Sequence, residues 1–146
     1  MTSRRPSWQR RLNAVVEKHR DAPGEWGVSD CWIFATDAYE AVTGDKLLPN
    51  LRCYRSERGG YRLFSRHGFR TVGEALASTL DPINKLGAKR GDLAVIKRGK
   101  IESCGVVTSA GVAVKTLYGE SDATGIEFSS LEYFPLSAIE TAFKVG

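Results

Sequence analysis

Of the side chains able to act as nucleophiles or bases near neutral pH, the sequence offers three cysteines, Cys31, Cys53 and Cys104, and two histidines, His19 and His67. Cys31 follows Ser29-Asp30 and precedes a long apolar run, which places it in the first turn of a predicted helix. Unpaired backbone N–H groups and the helix dipole stabilise a thiolate there and lower a cysteine pKa. The same position suits a small buried structural cysteine, the commoner occupant. A thiol nucleophile also needs a base within hydrogen-bond reach, and none adjoins Cys31 in the chain. The cysteines and histidines could in principle gather around zinc, but they lack the usual ligand spacings, so no metal is expected. No Cys-x-x-Cys pair occurs and an odd count cannot pair fully, so reduced thiols are expected, as in a cytoplasm.

Positioning these groups falls to two kinds of element. Ser7 is placed to cap a first helix in which Trp8, Leu12, Val15 and Val16 recur at helical spacing, ending near Arg20. His19 then falls in its last turn and reads as a surface histidine, as does His67 at a second helix terminus. Asp21-Ala22-Pro23-Gly24 breaks the helix, and a loop carrying Trp26 and Gly27 leads to Ser29. Gly27 reads as a backbone requirement at a tight approach to the next helix. From Asp30 to Val42 the apolar residues nearly encircle a helix, with Ser29 or Asp30 as its cap and Gly44 as its stop, the signature of a buried central helix. Residues 45–60 are turn-rich, 61–66 form a short helix, and Thr71-Val72-Gly73-Glu74 is a capping box for a helix running to about Leu80.

Beyond Gly91 the apolar period changes. Residues 92–96, 101–107 and 112–117 read as strands joined by Gly-containing turns, and 126–128 and 139–145 supply two more. Helices first and strands after give an α+β domain over residues 1–146, with N-terminal helices packed on a C-terminal antiparallel sheet of about five strands.

Composition agrees with one globular domain: 146 residues, 42% hydrophobic and 26% charged. A chain of this length buries roughly 68–70% of its unfolded surface, enough for a core without staples. The net charge of +4 gathers in basic clusters at Arg4/Arg5, Arg10/Arg11, Lys89/Arg90 and Lys97/Arg98/Lys100. Without an accompanying nucleic-acid motif these read as solvated loop charge, so a nucleic-acid partner is not expected. No run reaches the ~18–20 apolar residues of a membrane span. Two basic pairs near the N-terminus lead into no apolar segment, so secretion by a signal peptide is not expected.

Trp26-Gly27-Val28-Ser29-Asp30-Cys31, followed by an apolar helix, resembles the Trp-Gly…Asp-Cys segment of NlpC/P60 cysteine peptidases. Arg90-Gly91-Asp92-Leu93-Ala94-Val95-Ile96 resembles that family's Gly-Asp-Leu strand, and Ser103-Cys104-Gly105-Val106-Val107 falls where its His-Val-Gly-Ile strand lies. The likeness is greatest to the compact members encoded among tail genes of long-tailed phages and gene-transfer agents. It implies a papain-like fold, peptidoglycan stem peptides as substrate, no cofactor, and a Cys nucleophile assisted by an oriented His. It further implies tail-tip proteins as partners and a place in the virion tail tip after synthesis in the host cytoplasm.

Carried over by position, Cys31 matches the nucleophile, Asp30 its preceding partner, and Ser103 stands where the general base belongs. Serine does not accept a proton near neutral pH. Cys104 alternates to the opposite strand face and is not expected to take over. The strand expected to carry the third member offers Lys115 and Thr116, neither an evident orienter of an imidazole. His67 is the replacement base to look for, and Trp26, Asp30 and Tyr61 are the candidate substrate-binding residues, the two aromatics being core residues otherwise. The expected role is therefore a tail-tip component with a degenerate peptidase fold and weak or no hydrolysis; the alternative is an active endopeptidase with an unconventional base. A third possibility is a basic module that holds peptidoglycan or nucleic acid without chemistry.

Overall fold

Helix α2 (Cys31–Thr43) is the centre of the molecule because its sequence leaves it no polar face. Ten of its thirteen residues are buried, the pattern of a helix enclosed on all sides. Asp30 caps it, Oδ1 accepting from the Ile33 N–H at 2.8 Å, and Gly44 ends it at φ 84°, a left-handed turn that glycine enters without strain. In the computed structural model, which describes residues 3–118 and 128–146, α2 lies between α1 (Trp8–Asp21) and a sheet. Helices α3 (Glu57–Arg66) and α4 (Val72–Ala77) complete the helical half.

The sheet follows in sequence: β1 (Pro82–Ile83), β2 (Leu93–Arg98), β3 (Ile101–Thr108), β4 (Gly111–Tyr118), β5 (Phe128–Phe134) and β6 (Ile139–Phe143). Its order is β1-β6-β2-β3-β4-β5, with every neighbouring pair antiparallel. The fold is thus α+β as expected, with six strands in place of about five. The additional strand is a two-residue edge beginning at Pro82, where a residue without an N–H does no harm to a ladder. Of the strand expected at 126–128, Ile126 lies outside the described residues, and β5 runs on to Phe134.

Both sheet faces are covered. Leu93, Val95, Cys104, Val106, Ala113 and Phe143 pack in the main core with α2. Ala94, Ile96, Val107, Val112, Val114 and Ile139 form a second cluster on the other side. This explains the nearly unbroken apolar runs of β2 and β3, in which alternation is weak.

Two helix starts differ from expectation, and a third begins at the expected cap, Thr71, with its return bond redirected. Ser7 precedes α1 but adopts φ 62° and makes no side-chain cap. Arg5 ties this segment to α2 through its N–H on the Val42 carbonyl, and the Arg5 carbonyl serves Trp8 N–H, so the chain turns at Ser7 with a backbone acceptor in place. Helix α3 begins at Glu57 because Ser56 accepts from the Gly59 N–H at 2.9 Å; the Gly59-Gly60 pair disguises the first turn as loop. At α4, Thr71 Oγ1 accepts from the Glu74 N–H at 3.1 Å, while Glu74 reaches back to the Arg70 N–H rather than to Thr71. That helix stops at Ala77, short of Leu80.

The Gly-Asp strand motif is a clasp. Buried Asp92 accepts from the Lys89 N–H at 2.8 Å and the Val145 N–H at 3.1 Å, and pairs with Arg4 Nη2 at 3.0 Å. Arg4 in turn lies over the Trp8 ring, 4.4 Å from its centroid. Among the described residues no helix is long and apolar enough to cross a membrane.

Candidate functional site

The loop from Ala22 to Asp30 delivers two successive polar constructions. The first is built on Asp30, whose Oδ2 accepts from the Gly27 N–H at 2.8 Å and the Tyr54 hydroxyl at 2.7 Å. Gly27 is required here: it sits at φ 82°, and a Cβ would collide with the Tyr54 carbonyl. Burial raises the Asp30 pKa despite these donors. Burial, followed by the Asp30 charge, pushes the Tyr54 phenol well above its ordinary range. Through these bonds Asp30 and Tyr54 brace the start of α2.

Immediately after this brace, half-buried Cys31 lines a cleft of about 600 Å³. The cleft also takes in Trp26, Asp30, Tyr61 and Ser103, so five of the six residues named as catalytic or substrate-binding candidates are brought together. Trp26 is half-buried and Tyr61 is 55% exposed, so neither belongs to the core. His67 is the exception. It is the exposed C-cap of α3, bonded through Nδ1 to the Leu63 carbonyl at 3.0 Å, and it does not line the cleft. The structure does not bring it into the cleft with Cys31.

Ser103 is buried on β3 and its hydroxyl accepts from Arg98 Nε at 3.1 Å. Cys104 does turn to the opposite face, but that face packs against α2. Its Sγ donates to the Cys31 carbonyl at 3.5 Å. The nearby Cys104 sulfhydryl as donor, helped by the Arg98 charge, draws the Cys31 thiol below its ordinary pKa, against burial and the Asp30 charge. Burial and then Cys31 hold Cys104 well above its own. Cys104 is therefore a donor to Cys31 and no substitute for the missing base.

The second construction is the one sequence reasoning missed. His19 is not a surface histidine; it is 1% exposed, set edge-on against Phe34. Its Nδ1 meets Ser29 Oγ and its Nε2 meets Asp37 Oδ2, each at 2.8 Å. Asp37 also receives Arg52 Nη2 at 2.8 Å. Burial opposes the charge on Asp37, but the His19 bond and the Arg52 guanidinium outweigh it and bring the pKa down. Lys115, expected near a possible third catalytic member, instead donates Nζ to the His19 and Ala22 carbonyls, both at 2.6 Å, and anchors the end of α1. A signal for His19 was present: it continues the Trp8, Leu12, Val15, Val16 stripe at helical spacing.

A family described as Domain of unknown function (DUF6950) matches residues 3–145. The chain belongs to that family. No curated protein and no solved structure matches it. The DUF6950 match spans both the cleft and the clasp formed by Arg4, Asp92 and Val145. Among the described residues, no group of three or more His, Cys, Asp or Glu side chains is placed to hold a metal ion.

Proposed function

We propose that the chain is a compact NlpC/P60-like domain of a phage tail tip, which keeps the nucleophile cysteine and its cleft but serves mainly as a packing element with weak or no hydrolysis. One observation carries this: Cys31 lines a cleft large enough for a peptide, and among the described residues no histidine lines it. A thiol nucleophile without a histidine beside it forgoes the proton transfers that a positioned imidazole supplies. Ser103, at the base position implied by the resemblance, is held by Arg98. Further support comes from the architecture, since a cysteine opening a buried helix against an antiparallel sheet is what a papain-like fold requires.

A second function, cleavage of peptidoglycan stem peptides, is favoured by the lowered pKa of Cys31 and by the aromatic wall of Trp26 and Tyr61. Release of soluble peptides from purified peptidoglycan by the wild-type protein and by Cys31→Ala separates the two, with folding of both checked by circular dichroism. The packing role predicts folded proteins and equal, background release. Release that disappears with Cys31 overturns it and establishes a cysteine endopeptidase.

A further inference from the structure

Two cysteines meet where the first turn of α2 packs on β3. Cys31 stands in front, on the wall of the open cleft. Cys104 stands behind it with no exposed surface, its Sγ 3.5 Å from the Cys31 carbonyl oxygen. The third cysteine, Cys53, is exposed on the surface. We propose that Cys31 and Cys104 form a peroxide-responsive dithiol, in which Cys31 is oxidised first and Cys104 resolves it as an intramolecular disulfide.

The chemistry needs only hydrogen peroxide as oxidant. The Cys31 thiolate attacks one peroxide oxygen; an S–O bond forms, the O–O bond breaks, and hydroxide leaves to take up a proton as water. The Cys104 sulfur then attacks the Cys31 sulfur. An S–S bond forms, the S–O bond breaks, and the departing hydroxyl carries the Cys104 proton away as a second water. Two thiols have lost two electrons and two protons, and peroxide has become two waters. The front sulfur supplies thiolate character and access, the two properties that govern oxidation by peroxide. The rear sulfur is shielded from the oxidant yet within reach of the product.

Closure of this bond ties the first turn of α2 to the middle of β3 and removes the thiol from the cleft until a dithiol reductant restores it. The device is independent of whether the cleft hydrolyses anything, because oxidation is read on the cysteines themselves.

The test uses the full chain carrying Cys53→Ser, treated with hydrogen peroxide and mapped by non-reducing peptide mass spectrometry. The expected product is one cross-linked peptide pair joining Cys31 and Cys104 within a single chain, both thiols lost together and both recovered with dithiothreitol. In Cys53→Ser/Cys104→Ser, and equally in Cys53→Ser/Cys104→Ala, Cys31 accumulates as a sulfenic acid captured by dimedone and proceeds to sulfinic acid. Circular dichroism establishes that each variant is folded. Oxidation of Cys31 to sulfinic acid at the same rate with and without Cys104 overturns the assignment. So does a disulfide found only between chains, or a Cys31 that peroxide leaves untouched.

Discussion

Ser29 and Cys31 are two residues apart, yet they belong to opposite kinds of site. Ser29 bonds to His19, and His19 to Asp37, in an order that imitates a serine nucleophile, its base and its orienting carboxylate, but Ser29 and His19 are both 1% exposed. Cys31 has an open cleft and no imidazole. One site has the hydrogen-bond relay without access, and the other has access without the relay. A catalytic constellation is recognised by geometry and by a place for the reacting atom, not by residue types. By that test the sealed triad is structural. Its work is to hold α1, the loop and α2 together, and Lys115 is common to both regions, lining the cleft while anchoring the α1 carbonyls.

The sharpest way to break the contrast is His19→Ala. It leaves buried Ser29 without its partner, removes one of the neutralising contacts of Asp37, and opens a void beside Phe34. A loss of about 3 kcal/mol in urea-unfolding free energy is expected from combined cavity and unsatisfied-group effects. A loss below about 1 kcal/mol would show the network to be incidental.

A smaller effect is expected from giving the cleft what it lacks. Ser103→His places an imidazole at the position where the resemblance puts the base. Peptide release from peptidoglycan should rise by about tenfold over wild type and should vanish again in Cys31→Ala/Ser103→His. This falls below the ~10²–10⁴ of a positioned base because no second group orients the new ring. No gain from a folded variant would separate this cleft from a peptidase active site.

The least expected change concerns the thiol itself. Because the hydrogen bond from Cys104 lowers the Cys31 pKa, Cys104→Ala should shift the pH midpoint of Cys31 alkylation by iodoacetamide upward. The sign follows from loss of a donor to the thiolate, the charged form, which alone is alkylated. A midpoint that stays put or falls would assign the lowering to other causes.

The elements legible in the sequence are those whose burial is set locally. Helix α2 could be read because its apolar residues surround the axis and Asp30 and Gly44 mark its ends. Strands β2, β3 and β4 could be read because short apolar, β-branched runs such as Leu93–Ile96 and Val106–Val107 lie between glycine turns. What could not be read depends on partners distant in sequence. His19 continues the apolar stripe of α1, but Lys18 and Arg20 beside it mask that signal, and its partners Asp37 and Ser29 come from the loop and helix that follow. Strand β5 carries Ser129, Ser130 and Glu132, which look like loop until β4 pairs with them. At the cleft, alternation correctly separated Ser103 from Cys104. It could not tell which face of β3 would meet α2, and that contact decides which of the two touches Cys31.

The Asp92 clasp also sets how the domain can be joined to other things. One buried carboxylate holds Arg4 and the Val145 N–H together, so the polypeptide enters and leaves the fold at the same spot. A unit with adjoining entrance and exit can be spliced into a surface loop of a larger protein without spreading that loop, whereas a pull applied through the two ends would load the clasp before it loaded any strand of the sheet.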